Sequence, residues 1–184
     1  MTISSPAWPA HYDWMHPDPM TRAFELVEGG TVRGSLRFTN LVGSRASGSA
    51  YGAAWDLRRT GIFRPRIEGR AAGAADDEPI EFTIALEFSG TGTMERAGTD
   101  ALQWGLAGEG DDQAWGWLLD GTPLVTFVPA PSDDGLVAAM IQLQGRARLH
   151  AAAGGRNDVP LLLVTGWYLM AARQFDLVVN PVGV

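Results

Sequence analysis

The stretch NDVPLLLVTGWYLMAARQFD, residues 157–176, decides how the rest of the chain must be arranged. From Val159 to Ala172 it carries no charge, and Thr165 and Gly166 are the only interruptions of an apolar surface. A membrane span needs about 17–25 such residues, whereas about 10–14 mark a buried core helix. Arg156 and Asp158 bound the run upstream, Arg173 and Asp176 downstream. It therefore reads as a core helix over 158–173 and not as a transmembrane span. Asn157 or Asp158 can cap it, Pro160 is tolerated in the first turn, and Arg173 near the C-terminal end suits the helix dipole. Leu162, Gly166, Trp167, Leu169 and Met170 form its expected core, with Gly166 permitting close backbone approach and Trp167 and Tyr168 supplying volume.

A helix apolar all round must be surrounded, and the chain before it is rich in strand patterns. IEFTIALEF (80–88) sets Ile80, Phe82, Ile84, Leu86 and Phe88 on one face and Glu81, Thr83, Ala85 and Glu87 on the other, the period of a half-buried strand. TVRGSLRF (31–38) opposes Val32, Leu36 and Phe38 to Arg33 and Arg37; FRPRIEGR (63–70) opposes Phe63 and Ile67 to arginines; QAWGWLLD (113–120) aligns Trp115, Trp117 and Leu119. Further strands are expected at 22–27, 46–51, 53–59, 91–96, 99–107, 122–128 and 136–143. Turn sequences such as EGG (28–30), AGTD (97–100) and DG (120–121) separate them, the rhythm of an antiparallel meander. About ten to twelve strands make a closed barrel too wide for its own side chains to fill. A helix threaded through it fills the hole. The expected fold is mainly β, a closed antiparallel barrel of about twelve strands around a buried hydrophobic C-terminal helix.

This order of elements resembles the tubby C-terminal-like superfamily, which includes LURP-one-related proteins and phospholipid scramblases. The resemblance covers roughly residues 21–176 and rests on the element order and on PLLLVTGWYLMAARQFD. The chain is also similar to bacterial proteins in which segments like WDLRRTGIFRPRIEG (55–69) and AWGWLLDGTPLVTF (114–127) precede a terminal GWYL (166–169). The resemblance implies a twelve-stranded barrel wrapped around the helix. It also suggests phosphatidylinositol phosphate binding by a basic surface, although the arginines of this chain do not match that motif residue by residue.

Residues 1–20 hold four prolines, two tryptophans and two histidines. They are expected to form no regular helix or central strand, but an arm lying on the barrel or a disordered tail. Residues 21–176 read as a single domain and 177–184 as a tail. The N-terminus lacks a basic region followed by an apolar one, so no signal peptide is expected and the cytoplasm is the default location. A net charge of -7 argues for solubility and against nucleic-acid binding. All fourteen basic residues are arginine, and there is no cysteine, which excludes disulfides, thiolate catalysis and cysteine-rich zinc sites.

No catalytic constellation emerges. His11 and His16, near Asp13 and Asp18, match no metal-binding signature. His150, beside Arg148, reads as an edge residue. GSAYG (48–52) places Ser49 wrongly for a nucleophile elbow. The glycines of GTGT (90–93) and GLAGEG (105–110) lack phosphate-loop spacing and a following helix. Acidic runs fall at turns without calcium-loop order, and no carboxylate pair suits hydrolysis. No cofactor or metal is expected.

The one local anomaly is basic. Arg58, Arg59, Arg64, Arg66 and Arg70 stand against Asp56 and Glu68 in an otherwise acidic chain. Clustered guanidinium groups suit phosphate or carboxylate, although a solvated face paired to acidic neighbours would look the same. The expected function is a non-enzymatic binding or scaffold protein, with an anionic lipid headgroup or an acidic protein surface as partner. The alternative is a lipocalin-like barrel that binds or cyclises a small apolar molecule in an aromatic-lined cavity.

Overall fold

The structure, a computed structural model, describes residues 7–18, 20–40, 43–61, 64–75, 77–108, 113–130 and 143–179, the last five by their backbone alone. Its strands are β1 (His11–Met15), β2 (Ala23–Glu28), β3 (Thr31–Phe38), β4 (Arg45–Ala50), β5 (Ala53–Thr60) and β6 (Arg66–Ala71). They continue with β7 (Phe82–Leu86), β8 (Gly92–Arg96), β9 (Leu102–Ala107), β10 (Ala114–Leu119), β11 (Thr122–Pro129) and β12 (Gly145–Leu149). Each strand pairs antiparallel with its sequence neighbours, and β1 pairs with β12 to close the barrel. Full closure leaves no edge to protect. A 3-10 turn, Ala151–Ala153, leads into the helix α1, Val159–Val179.

Turn chemistry sets the register. Ala50 pairs with Ala53 and Leu119 with Thr122, so Tyr51-Gly52 and Asp120-Gly121 are two-residue hairpin loops with every φ positive. That geometry matches the twist of the flanking strands. Tyr51 is unusual in such a place. Its hydroxyl donates to Glu28 Oε2 at 3.0 Å, and its ring meets Trp8 edge-on at 5.0 Å.

The apolar helix is the barrel's core. Val159, Leu161, Leu162, Leu163, Val164, Trp167 and Tyr168 are buried around the whole circumference of α1. Asp158 begins it, its carbonyl accepting from the Leu162 N–H at 3.0 Å, while its carboxylate is gripped by Arg156 at 2.9 and 2.7 Å. Trp117 Nε1 donates to the Leu162 carbonyl at 3.1 Å, and the Tyr168 hydroxyl, at mid-helix, donates to the Gly43 carbonyl at 3.1 Å. Glycines let helix and sheet close up. A Cβ on Gly48 of β4 would lie 2.3 Å from Val164, one on Gly145 of β12 would lie 2.9 Å from Trp167, and one on Gly166 would lie 2.2 Å from Phe127. Of the expected helix core, Leu162, Gly166, Trp167 and Leu169 are buried and Met170 partly so.

Several expectations are corrected. Residues 11–15 are not part of an arm: HYDWM is the strand that closes the barrel, with Tyr12 and Trp14 buried. Pro9 and Pro17 bracket this strand without entering it, so proline blocks nothing within. Residues 7–10 do behave as an arm, Trp8 donating from Nε1 to the Arg156 carbonyl at 2.8 Å. The helix continues past 173 to Val179. Arg173 thus lies along it and not at its end, with its guanidinium 4.4 Å from the Trp115 ring centroid. The pattern at 80–88 overran β7 at both ends, where Ile80 and Phe88 are exposed, and Val32 is exposed within β3 beside the register shift of its pairing with β2. The strand expected at 136–143 lies outside the described residues except for Leu143, and the last strand is Gly145–Leu149.

Candidate functional site

Inside the barrel, alternation along β1 points Tyr12 and Trp14 toward α1, and buried His16 follows in the same phase. Trp14 stacks on Trp167 at 5.5 Å with ring planes 2° apart, and Phe24 meets Trp167 at 6.1 Å. Trp104, Trp117 and Phe127 complete an internal aromatic cluster. Trp14 Nε1, His16 Nδ1 and Trp167 Nε1 are buried without a hydrogen-bond partner among the described residues, while the Tyr12 hydroxyl lies toward Tyr51. Trp14 lies on β1, His16 just beyond its end, and Trp167 on the helix, stacked on Trp14. Burial pushes the Tyr12 phenol above its ordinary pKa.

On the outer surface of the same seam lies an open cleft of about 430 Å³ whose lining includes His11, Met15, Val128, Pro129, Arg146 and Arg148. Trp14 also borders it, but its side chain is wholly buried on the inner side of β1. A second cleft of about 490 Å³ extends over β10 and β11, lined by Pro123, Thr126 and His150 among others, and shares Val128 and Arg148 with the first. Register explains the meeting. His11 pairs with Arg148 and Arg148 with Thr126, while Asp13 pairs with Arg146 and Arg146 with Val128.

The charges there are unequal in availability. Arg146 is neutralised by Asp13, Nε to Oδ1 at 3.3 Å. Arg148 has no ion pair among the described residues. The His150 ring Nε2 and Thr126 Oγ1 lie 2.9 Å apart. Burial, and then the nearby Arg148 charge, lower the His150 pKa.

The five arginines singled out in the sequence are only partly brought together. Arg58 and Arg66 are exposed on the outer face, where Arg58 pairs across the strands with Glu68. Arg64 is exposed just before β6. Arg70 is held by Glu68 at 3.5 Å and donates from Nε to the Glu78 carbonyl at 3.2 Å, so it is occupied structurally. Arg59 pairs with inward-facing Ile67 and stands on the other side of β5 from Arg58. The structure adds Arg45, directly opposite Arg58 on β4. The Tyr51-Gly52 loop fixes that pairing through an unbroken register, so the hairpin turn was the signal that could have found Arg45.

His11 and His16 cannot share a metal through one face: five residues apart on extended chain, they fall on opposite sides. His16 is buried, and its Nε2 contacts the Thr21 carbonyl at 2.6 Å. Among the described residues no group of three or more His, Cys, Asp or Glu is placed to hold a metal ion. No described helix is long and apolar enough to cross a membrane. Compared with known proteins, the chain matches no family model, no curated protein and no solved structure, so its fold and its clefts alone carry the functional argument.

Proposed function

We propose that this barrel is a binding protein for a small, largely apolar molecule, held without covalent chemistry in the cleft over β11, β12 and β1. The observation that carries this reading is the pair of adjoining clefts, about 430 and 490 Å³, sharing Val128 and Arg148. Small-molecule sites are concavities of about 300–1,000 Å³, mostly apolar with a few placed polar groups. Met15, Val128 and Pro129 supply the apolar floor. Because α1 fills the barrel's centre, the site belongs at the seam and not in an open calyx. The twelve-stranded barrel around a helix is also what likeness to the tubby C-terminal-like superfamily would entail, and membership of that group is proposed on architecture alone.

A second reading, an acidic partner on the outer face of β4–β6, is favoured by one observation: Arg45 and Arg58 stand directly opposite each other. Like charges so placed repel, which an anion would relieve.

Titration with phenylnaphthylamine, a neutral apolar fluorophore, tests the cleft. Saturable binding should be abolished by Val128→Glu, a change at an exposed position that leaves the core untouched, and should survive Arg45→Glu. Binding that ignores Val128→Glu would overturn the cleft reading, and loss with Arg45→Glu alone would move the site to the arginine face.

A further inference from the structure

Resting on the cleft reading above, we infer that the ligand is an amphipathic anion whose carboxylate or phosphate head is taken by Arg148. Three observations converge on that residue. Arg148 lines both clefts, so it stands at their junction. It lacks an ion pair among the described residues, whereas Arg146 beside it is already matched by Asp13. Its cross-strand neighbours on the outer face are His11 on one side and Thr126 on the other, groups that donate hydrogen bonds and add no negative charge.

The charge balance of the lining points the same way. The chain as a whole is acidic, net -7. Yet Asp13 is the only carboxylate among the described residues lining the first cleft, and the described lining of the second has none. An apolar floor beside one unmatched guanidinium suits a molecule with a hydrocarbon or aromatic body and one anionic end. Guanidinium meets carboxylate or phosphate through two parallel N–H···O bonds. His150, whose Nε2 lies 2.9 Å from Thr126 Oγ1 and whose pKa is lowered by burial, is neutral near pH 8 and does not compete as a cation.

The test compares two fluorophores of nearly the same body, anilinonaphthalene sulfonate and neutral phenylnaphthylamine, at pH 8 on the full chain and on Arg148→Met. Methionine keeps much of the apolar stem and removes the charge. The inference expects the sulfonate to bind more tightly than the neutral probe. It also expects Arg148→Met to weaken the sulfonate about ten-fold, as loss of a charged hydrogen bond does, and to leave the neutral probe within about two-fold. Arg146→Met, the already matched neighbour, should have a smaller effect. Equal binding of both probes, unchanged by Arg148→Met, would overturn the anionic class and leave the apolar cleft standing. Failure of both probes to bind would remove the cleft reading itself. Displacement of the bound sulfonate by octanoate or by octyl phosphate then tells which head is preferred. Equal displacement by octanol would count against either.

Discussion

A methyl group at Gly166 would sit 2.2 Å from Cε2 of Phe127, a ring with no exposed surface. On an exposed helix, alanine in place of glycine stabilises by about 1 kcal/mol. Here the Phe127 ring must move inside a close-packed barrel, and Gly166→Ala should instead destabilise by ~1–3 kcal/mol. Urea unfolding measures this directly, and a higher midpoint for the variant would mean that α1 does not lie against β11. His150 makes a different kind of prediction. Its folded pKa is lowered, so the unfolded chain takes up the proton more readily, and stability falls as pH drops below the ordinary histidine value of about 6.5. Above that value both states are neutral and nothing is lost. His150→Gln removes the titration and keeps a partner for Thr126, so its Tm should drop less than the parent's between about pH 7.5 and pH 5. Equal drops would show that His150 is not coupled to folding.

Among the elements, β1 has the largest consequence for its length. Five residues, His11–Met15, join β12 to β2 and set Trp14 against Trp167. Without β1 the sheet would regain two unpaired edges, which template association, and the apolar side of α1 would be uncovered. A chain lacking residues 1–16 is therefore expected to lose the near-ultraviolet signal of its ordered tryptophans and to aggregate. A truncated chain that kept a folded spectrum and the parent's melting temperature would show that closure by β1 is dispensable. Most other strands were legible because their alternation is long enough to count, with Phe82 and Ile84 buried as the period predicts, but β12 at Gly145–Leu149 was not expected. In β1 the same alternation spans only Tyr12 and Trp14 within a proline-rich stretch, too short to outweigh the signals around it. Helix α1 was legible for the opposite reason, since its run of apolar residues has no surface to offer water.

At the scale of the whole molecule, the clefts owe their existence to closure. β11, β12 and β1 come from the two ends of the chain, and only their pairing puts Val128, Arg146 and Asp13 on one rung and Thr126, Arg148 and His11 on the next. The same holds for the stacking of Trp14 on Trp167, since β1 reaches the helix only where the barrel closes. Composition and local pattern were enough to determine that this chain builds a mostly antiparallel barrel of short strands and must hide one helix inside it. Both conclusions follow from periods of two and from apolar length, which are properties of adjacent residues. Where the barrel closes and where a ligand-sized hollow opens were decided by the tertiary structure. Those depend on pairing between strands from distant parts of the chain, which no hairpin turn fixes and local sequence does not encode.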